Sequence, residues 1–239
     1  MLKKLIKNFP KLHKIQKKAR YELNYFFLNN STKLVKNHFK FISKSGFMNQ
    51  EFFEITLNNF KNKSINIFET GSSQDYGTDS SILFDSYIKK FGGKFITVDK
   101  SEEPKKHLEK FFSKNSISIV EDSVSFISSY EQKFFNTLNL VYLDSFDLDV
   151  NNPEDSMNHC LNEFLCIDKL IKKGCYVAID DTPNEAAFKK YLAQSVQNKN
   201  KLTEENIIPG KGALVLTHPR MIDYKLEYQF YSVLLKKIN

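Results

Sequence analysis

The chain has 239 residues, 41% of them hydrophobic, and a formal net charge of +7. This length is enough to bury a large core within one domain. Its three cysteines show no zinc-binding spacing, and no apolar run reaches the roughly 18 residues that a membrane-spanning helix needs. These features exclude a disulfide-rich secreted domain and a membrane-spanning chain, and they predict a soluble protein of the reducing cytoplasm.

The positive charge is concentrated at one end of the chain. Residues 1–20 contain eight Lys or Arg and no acidic residue, whereas the remaining residues include 27 basic and 28 acidic ones. Because this remainder is nearly neutral, the charge distribution argues against a nucleic-acid partner for the fold itself.

Residues 1–20 also place apolar side chains three and four positions apart, with lysines between them. The apolar positions are Leu2, Leu5, Phe9, Leu12 and Ile15. This spacing predicts a basic amphipathic helix that is interrupted or restarted at Pro10. Three roles stay open: packing on the body or in a homo-oligomer contact, contact with an anionic membrane, and binding of a nucleic acid or another partner. We favour the first because charged runs are usually solvated faces.

The segment over residues 21–64 is rich in Phe and Tyr, partly at helical spacing. It predicts helices that flank a sheet, with most of the aromatic rings in the core. We therefore divide the chain into a helical extension over residues 1–60 and an α/β domain over residues 61–239.

The α/β domain is organised around residues 65–80, which read INIFETGSSQDYGTDS. A mostly apolar strand runs into Gly71, and a polar loop closed by Gly77 leads to the start of a helix. The next predicted strand, Lys94 to Val98, ends on Asp99. An acid about 20 positions beyond a glycine turn is placed to hold the two hydroxyls of a ribose. The glycine spacing, however, matches neither a dinucleotide-binding fingerprint nor a Walker A loop.

This combination of Glu-x-Gly, a polar loop, a second glycine and an acid at the end of the next strand resembles the cofactor site of class I S-adenosylmethionine-dependent methyltransferases. The resemblance implies that the loop passes the methionine moiety of S-adenosylmethionine and that the acid holds its ribose. The cofactor residues it implies are Glu69, Gly71, Ser72, Gly77 and Asp99, with Asp122 and Ser123 at the adenine position after the third strand. A generic βαβ turn and a helix cap at Asp122 are the structural alternatives.

Further predicted strands complete the domain. Three cover Ile117–Val120, Leu138–Leu143 and Cys175–Ile179, and the second of them is largely apolar and unalternating as buried parallel strands are. Two more, Lys211–Thr217 and Leu226–Lys236, resemble the final antiparallel hairpin of class I methyltransferases. The expected fold is α/β, with a doubly wound, mostly parallel seven-stranded sheet, a C-terminal antiparallel hairpin and an N-terminal helical extension.

Carboxylates follow the fourth and fifth predicted strands. Asp144 and Asp147 follow one, and Asp180 and Asp181 follow the other. Neighbouring parallel strands lie about 5 Å apart, so these side chains are expected to converge, and a cation between them would relieve their repulsion. Oxygen ligands favour Mg²⁺, or Mn²⁺ or Ca²⁺. The pattern resembles metal-dependent O-methyltransferases, which implies metal ligands at Asp144, Asp180 and Asp181.

Two residues on the following predicted helix add candidates for proton transfer. His159 and Glu163 are four positions apart and so share one helix face. We expect His159 or Asp147 to be the general base, with Glu163 orienting His159 or acting as a further ligand. The structural alternatives are caps at Asp147 and Asp181 and a hydrogen-bonded helix residue at His159.

Together the patterns predict an S-adenosylmethionine-dependent methyltransferase that acts on a hydroxyl of a small-molecule, sugar or lipid acceptor, helped by a divalent metal. Two alternatives stay open. One is a metal-dependent hydroxylase or hydrolase on the same fold. The other is a non-catalytic module that residues 1–20 recruit to anionic surfaces.

Overall fold

The computed structural model describes residues 25–45, 47–73, 78–149, 152–188, 190 and 210–239. The predicted helix over residues 1–20 and the predicted cofactor residue Gly77 lie outside this part of the chain. Seven strands form one sheet in the order β3-β2-β1-β4-β5-β7-β6. They are β1 (Ile65–Thr70), β2 (Gly93–Asp99), β3 (Ser116–Val120), β4 (Leu140–Leu143), β5 (Tyr176–Ile179), β6 (Tyr224–Gln229) and β7 (Val233–Lys237).

Strands β1 to β5 are parallel, whereas β7 runs antiparallel to both β5 and β6. The longer helices are α1 (Ser31–Phe41), α2 (Gln50–Asn58), α3 (Ser80–Phe91) and α7 (Glu154–Asp168). Shorter ones are α4 (Glu102–Leu108), α5 (Ser123–Ser129), α6 (Gln132–Phe135), α8 (Glu185–Ala187) and α9 (Ala213–Leu216), with a 3₁₀ helix over Pro219–Asp223. This confirms the predicted doubly wound, mostly parallel sheet with a C-terminal antiparallel hairpin.

Two hydrophobic cores cover the two faces of the sheet. On one face, α1, α2 and α3 pack their apolar sides against β1, β2 and β4, with Phe53 and Tyr142 in contact near the centre. On the other face, α5 and α7 bury Phe126 and Phe164 against the same strands and β5. Because both faces are covered, the central strands carry continuous apolar runs instead of an alternating pattern. None of the helices in the described ranges is long and apolar enough to cross a membrane.

The C-terminal part of the chain differs from its predicted form in two places. The predicted strand Lys211–Thr217 is wrong, since α9 occupies Ala213–Leu216. A Cβ on Gly210 would lie 2.3 Å from the Asp181 carbonyl oxygen, so the chain packs directly on the turn after β5 instead of extending beside a strand. A run of four apolar residues fits a short buried helix as well as a strand.

The predicted closing strand Leu226–Lys236 is also wrong as a single element. It contains a turn at residues 230–232, and the two arms form the β6–β7 hairpin. In this turn the Phe230 amide donates to the Ser232 carbonyl oxygen over 3.2 Å, and the Tyr231 carbonyl accepts from the Thr182 amide over 2.9 Å. The hairpin therefore lies entirely within residues 224–237, and the turn is fixed against the end of β5.

Candidate functional site

A cavity of about 710 Å³ opens at the carboxyl ends of the parallel strands. Ligands of doubly wound sheets bind at this edge. The structure brings ten of the predicted site residues into the cavity lining: Gly71, Ser72, Asp99, Asp122, Ser123, Asp144, Asp147, His159, Asp180 and Asp181. Two others, Glu69 and Glu163, are buried next to the lining and do not form part of it.

Gly71 makes the turn after β1 and passes very close to β4. Its φ is +77°, and a Cβ at this position would lie 2.3 Å from the carbonyl oxygen of Asp144. Only glycine fits such an approach in this backbone conformation. The turn therefore holds the ends of β1 and β4 together, and Gly71 and Asp144 line the same cavity.

Glu69 lies at the base of this turn and fastens it to α3. Its carboxylate accepts hydrogen bonds from the hydroxyls of Ser80, over 2.6 Å, and Ser81, over 2.5 Å, in the first turn of α3. Burial raises the pKa of Glu69 to about 7, although the serine hydroxyls oppose this rise. Glu69 thus fastens the turn to α3 and does not itself line the cavity, and its predicted contact with the cofactor stays a prediction.

Asp99, at the end of β2, accepts two backbone hydrogen bonds. The amide of Ser72 donates to Oδ2 over 3.0 Å, and the amide of Ser101 donates to Oδ1 over 2.7 Å. A carboxylate has about four acceptor positions, so these two bonds leave capacity for hydroxyl donors in the cavity. The carboxylate is thus fixed in orientation and still lines the cavity.

Asp122 caps a helix and also lines the cavity. Its Oδ1 accepts from the amide of Ser125 over 2.9 Å, which caps α5 and lowers the pKa of this carboxyl group. It also lines the cavity. The cap and the predicted adenine-side position are therefore compatible at one residue.

His159 on α7 faces the cavity and contacts Glu163 one turn along the same helix. Its Nε2 lies 3.3 Å from Oε1 of Glu163 and 3.2 Å from the hydroxyl of Ser123. The hydrogen bond to Glu163 raises the pKa of His159. Glu163 in turn accepts from the hydroxyls of Thr70, over 3.1 Å, and Ser145, over 2.6 Å. Glu163 therefore orients His159 and ties α7 to the ends of β1 and β4.

The acidic residues after β4 and β5 lie close together, as predicted. The side chain of a lysine lies between two of them. Nζ of Lys211 lies 2.8 Å from Oδ1 of Asp144 and 3.1 Å from Oδ2 of Asp181, and its side chain is only 2% exposed. Asp181 also accepts from the hydroxyl of Tyr231 over 2.8 Å. Asp180 accepts from the hydroxyl of Ser232 and from Nδ2 of Asn49, the latter over 3.2 Å.

Burial and mutual repulsion set the pKa values of this cluster. Burial raises the pKa of Asp144 well above its usual range, while Lys211 opposes the rise. Burial, followed by repulsion from Asp181, also raises the pKa of Asp180. Burial disfavours the charged form of Lys211, but Asp144 and Asp181 outweigh it and raise the pKa of Lys211. Lys211 is therefore a buried cation among an excess of carboxylates.

These residues, as arranged, do not fit the predicted divalent metal. Within the described part of the chain, no three His, Cys, Asp or Glu side chains are grouped so that they could hold a metal ion. Two of the predicted ligands, Asp144 and Asp181, are joined through the ammonium group of Lys211. A shared ion would have to displace Lys211 from both carboxylates.

Sequence reasoning missed Asn49, Lys211, Tyr231 and Ser232, all of which contact the acidic residues. Only Lys211 carried a local signal, because the sequence Gly210-Lys211-Gly212 places a charged residue between two glycines. A glycine on each side allows the backbone to come close to a neighbouring segment. The predicted proton acceptor Asp147 lies exposed at the rim of the cavity.

Comparison with solved structures identifies relatives of this fold. The structure titled CalS11, Calicheamicin Methyltransferase, matches 95% of this chain and 93% of its own, with 11% identity and a TM-score of 0.54. A second CalS11 structure, an apo form titled TDP-rhamnose 3'-O-methyltransferase, matches 95% of this chain and 94% of its own, with 13% identity and a TM-score of 0.50.

The MycE methyltransferase of mycinamycin biosynthesis, in complex with Mg and SAH, also matches. The match covers 88% of this chain and 55% of MycE, with 13% identity and a TM-score of 0.53. The chain thus spans about half the length of MycE. No protein-family model matches the sequence, and no curated protein matches it. The strand order, the C-terminal hairpin and these matches all indicate the same fold. The chain therefore has the class I S-adenosylmethionine-dependent methyltransferase fold.

Proposed function

We propose that the chain is an S-adenosylmethionine-dependent methyltransferase that methylates a hydroxyl oxygen of a small-molecule acceptor, such as a sugar. The observation that carries this proposal is the single cavity, in which the Gly71 turn and Asp99 face the same space as His159 and the acidic residues after β4 and β5. We interpret the first group as the cofactor half and the second as the acceptor half of a transferase site.

The cofactor half fits the chemistry of S-adenosylmethionine. The turn at Gly71 forms part of the cavity lining, and because glycine has no side chain it does so with backbone atoms. Asp99 offers oriented carboxylate oxygens to a ribose, and Asp122 and Ser123 lie farther along the same edge of the sheet. When bound, S-adenosylmethionine supplies an electrophilic methyl group.

The acceptor half supplies candidates for removing a hydroxyl proton. An alcohol is a weak nucleophile until a base takes its proton as the new oxygen–carbon bond forms. His159 is oriented by Glu163 and lines the cavity, so we infer that its imidazole ring accepts the proton of the acceptor hydroxyl. Asp147 at the rim is the second candidate. Because Lys211 already bridges two of the predicted ligands, the proposed proton transfer uses no Mg²⁺, Mn²⁺ or Ca²⁺.

The names of the structural neighbours support oxygen as the acceptor atom. CalS11 is titled a TDP-rhamnose 3'-O-methyltransferase. The SAH in one MycE structure supports the cofactor. The alternative of a metal-dependent hydroxylase or hydrolase needs ligands that Lys211 already engages. Cytoplasmic location, contact with an anionic membrane and homo-oligomer formation through the N-terminal helices stay predictions.

A thermal-shift experiment tests the cofactor assignment. A ligand at about 100 times its Kd stabilises a protein by about 2.7 kcal/mol, so S-adenosylhomocysteine is expected to raise Tm by several degrees. NAD and ATP at the same concentration serve as controls, because the loop matches neither of their fingerprints. A shift with NAD or ATP and none with S-adenosylhomocysteine would contradict the proposed function.

A further inference from the structure

The proposed mechanism gives no role to Lys211, a charged residue of the site. Its Nζ bridges Asp144 and Asp181, which follow two different strands of the sheet. The side chain is almost completely buried, and it lies beneath the cavity lining that both carboxylates share. An unpaired ammonium group at such a position would be strongly unfavourable, so the two carboxylates account for its burial.

The backbone fixes Lys211 on the same turn that its side chain contacts. The amide of Lys211 donates to the carbonyl oxygen of Asp181 over 3.0 Å, and the amide of Gly212 donates to the hydroxyl of Thr182 over 2.9 Å. Gly210 has no room for a Cβ beside this turn, and a Cβ on Gly212 would lie 2.8 Å from the Thr182 hydroxyl. Lys211 is thus held by backbone and side chain together.

Asp181 and Asp180 also have partners other than Lys211. Asp181 has a φ of +43° and accepts from the hydroxyl of Tyr231, while Asp180 accepts from Ser232 and Asn49. Asp tolerates the left-handed region better than most residues, but such a conformation persists only when its surroundings hold it. The bridge through Lys211 is therefore part of a preformed network.

We propose that Lys211 is the built-in cation of this acidic cluster, taking the position between Asp144 and Asp181 that a divalent ion would need. The proposal deepens the proposed function and, where it concerns methyl transfer, rests on it. Lys211 acts as a positioning residue: it fixes Asp144 and Asp181, two carboxylates of the cavity lining, beside which an acceptor hydroxyl binds. The transfer reaction then requires no divalent ion.

Removing the lysine should convert the cluster into a metal site. In Lys211→Ala, three carboxylates lose their counter-charge and the space between two of them opens. We expect Mn²⁺ to bind this variant at one site at least about tenfold more tightly than it binds the wild-type protein. Isothermal titration with Mn²⁺ alone at neutral pH measures the difference, and this readout depends on neither cofactor nor acceptor.

Lys237 provides a matched control. It is also a buried lysine paired with a carboxylate, its Nζ lying 3.0 Å from Oδ1 of Asp168, but it is not part of the cavity lining. Lys237→Ala removes the same charge and volume and is expected to leave Mn²⁺ binding at the wild-type level. A gain in Lys211→Ala alone supports the proposal, whereas an equal gain in both variants overturns it.

The wild-type protein provides a test that does not depend on whether a variant folds. It is expected to show no stoichiometric Mn²⁺ binding and to bind S-adenosylhomocysteine equally well before and after treatment with EDTA. Tight 1:1 binding of Mn²⁺ to the wild-type protein overturns the proposal even if Lys211→Ala fails to fold. Failure to bind S-adenosylhomocysteine would instead contradict the proposed function, and the Mn²⁺ comparison would stand.

Discussion

At the scale of single residues, Glu69 shows how burial and hydrogen bonds compete at the base of the glycine turn. Its carboxylate is fully buried, and two serine hydroxyls of α3 donate to it. Burial still dominates, so the pKa rises from 4.5 to about 7. A carboxyl group that is easier to protonate in the folded protein makes stability depend on pH.

The direction of that dependence is a testable prediction. Between pH 4.5 and 7 the folded protein binds more protons at Glu69 than the unfolded chain does, so its stability falls as the pH rises. The loss should total about 3 kcal/mol, at roughly 1.4 kcal/mol for each pKa unit. Glu69→Gln removes this contribution, so the variant should gain stability relative to wild type over the same range.

Urea unfolding at pH 4.5 and pH 7.5 measures both proteins. Glu103→Gln, which alters an exposed carboxylate in the first turn of α4, should follow the wild-type profile. Parallel profiles for wild type and Glu69→Gln would show that this carboxylate does not titrate as described.

His159 gives a second prediction at this scale. The imidazole must be neutral to accept a proton, and its pKa is raised chiefly by Glu163. The rate of methyl transfer should therefore increase with pH through a value above 6.5, and Glu163→Gln should shift this rise to lower pH. His159→Ala should reduce kcat by about 10² to 10⁴.

The dependence of kcat on pH in wild type and Glu163→Gln checks the assignment. Asp147→Asn is the comparison, because Asp147 is the other candidate base. If Asp147→Asn loses activity while His159→Ala retains it, the proton acceptor is Asp147.

At the scale of elements, the junction of β1 and β4 depends on the turn at Gly71. Gly71 and Gly174 both have positive φ angles, +77° and +90°. A Cβ on Gly71 would meet the backbone of Asp144, whereas nothing lies within 4 Å of a Cβ on Gly174. The two positions therefore separate the effect of a strained backbone from that of close packing.

Alanine at these two positions tests the role of the turn. Gly174→Ala should cost about 1–2 kcal/mol of unfolding free energy, from backbone strain alone. Gly71→Ala should cost more, because the ends of β1 and β4 must also move apart, and it should weaken binding of S-adenosylhomocysteine. Equal losses in denaturant unfolding would show that the close approach to Asp144 is unimportant.

The strands and helices also show which parts of the fold could be predicted from the sequence. Apolar runs such as those of β4 and β5 predict buried parallel strands, because both faces of the sheet are covered. Residues 213–216 could not be assigned in this way, since a short apolar run fits a helix or a strand. The contact between Lys211 and Asp144 could not be predicted from the sequence either, because the two residues are 67 positions apart and no local pattern specifies such a contact.

At the scale of the whole molecule, the sheet gathers residues from distant parts of the chain at one edge. The Gly71 turn, Asp99 and Asp122 follow β1, β2 and β3, and the acidic residues follow β4 and β5. The sequence predicted this convergence from the order of strands and the position of acids at their ends. It did not single out Asn49, which precedes α2, lines the cavity and donates a hydrogen bond to Asp180.

The central claim is that this edge binds the cofactor of a methyltransferase, and calorimetric titration with S-adenosylhomocysteine tests it most directly. Wild type should bind at one site, and Asp99→Ala should bind at least about tenfold more weakly, because a charge-assisted hydrogen bond contributes about 1.5–3 kcal/mol. Glu103→Ala should match wild type. Absence of binding to the wild-type chain, or equal affinity in Asp99→Ala, would contradict the account.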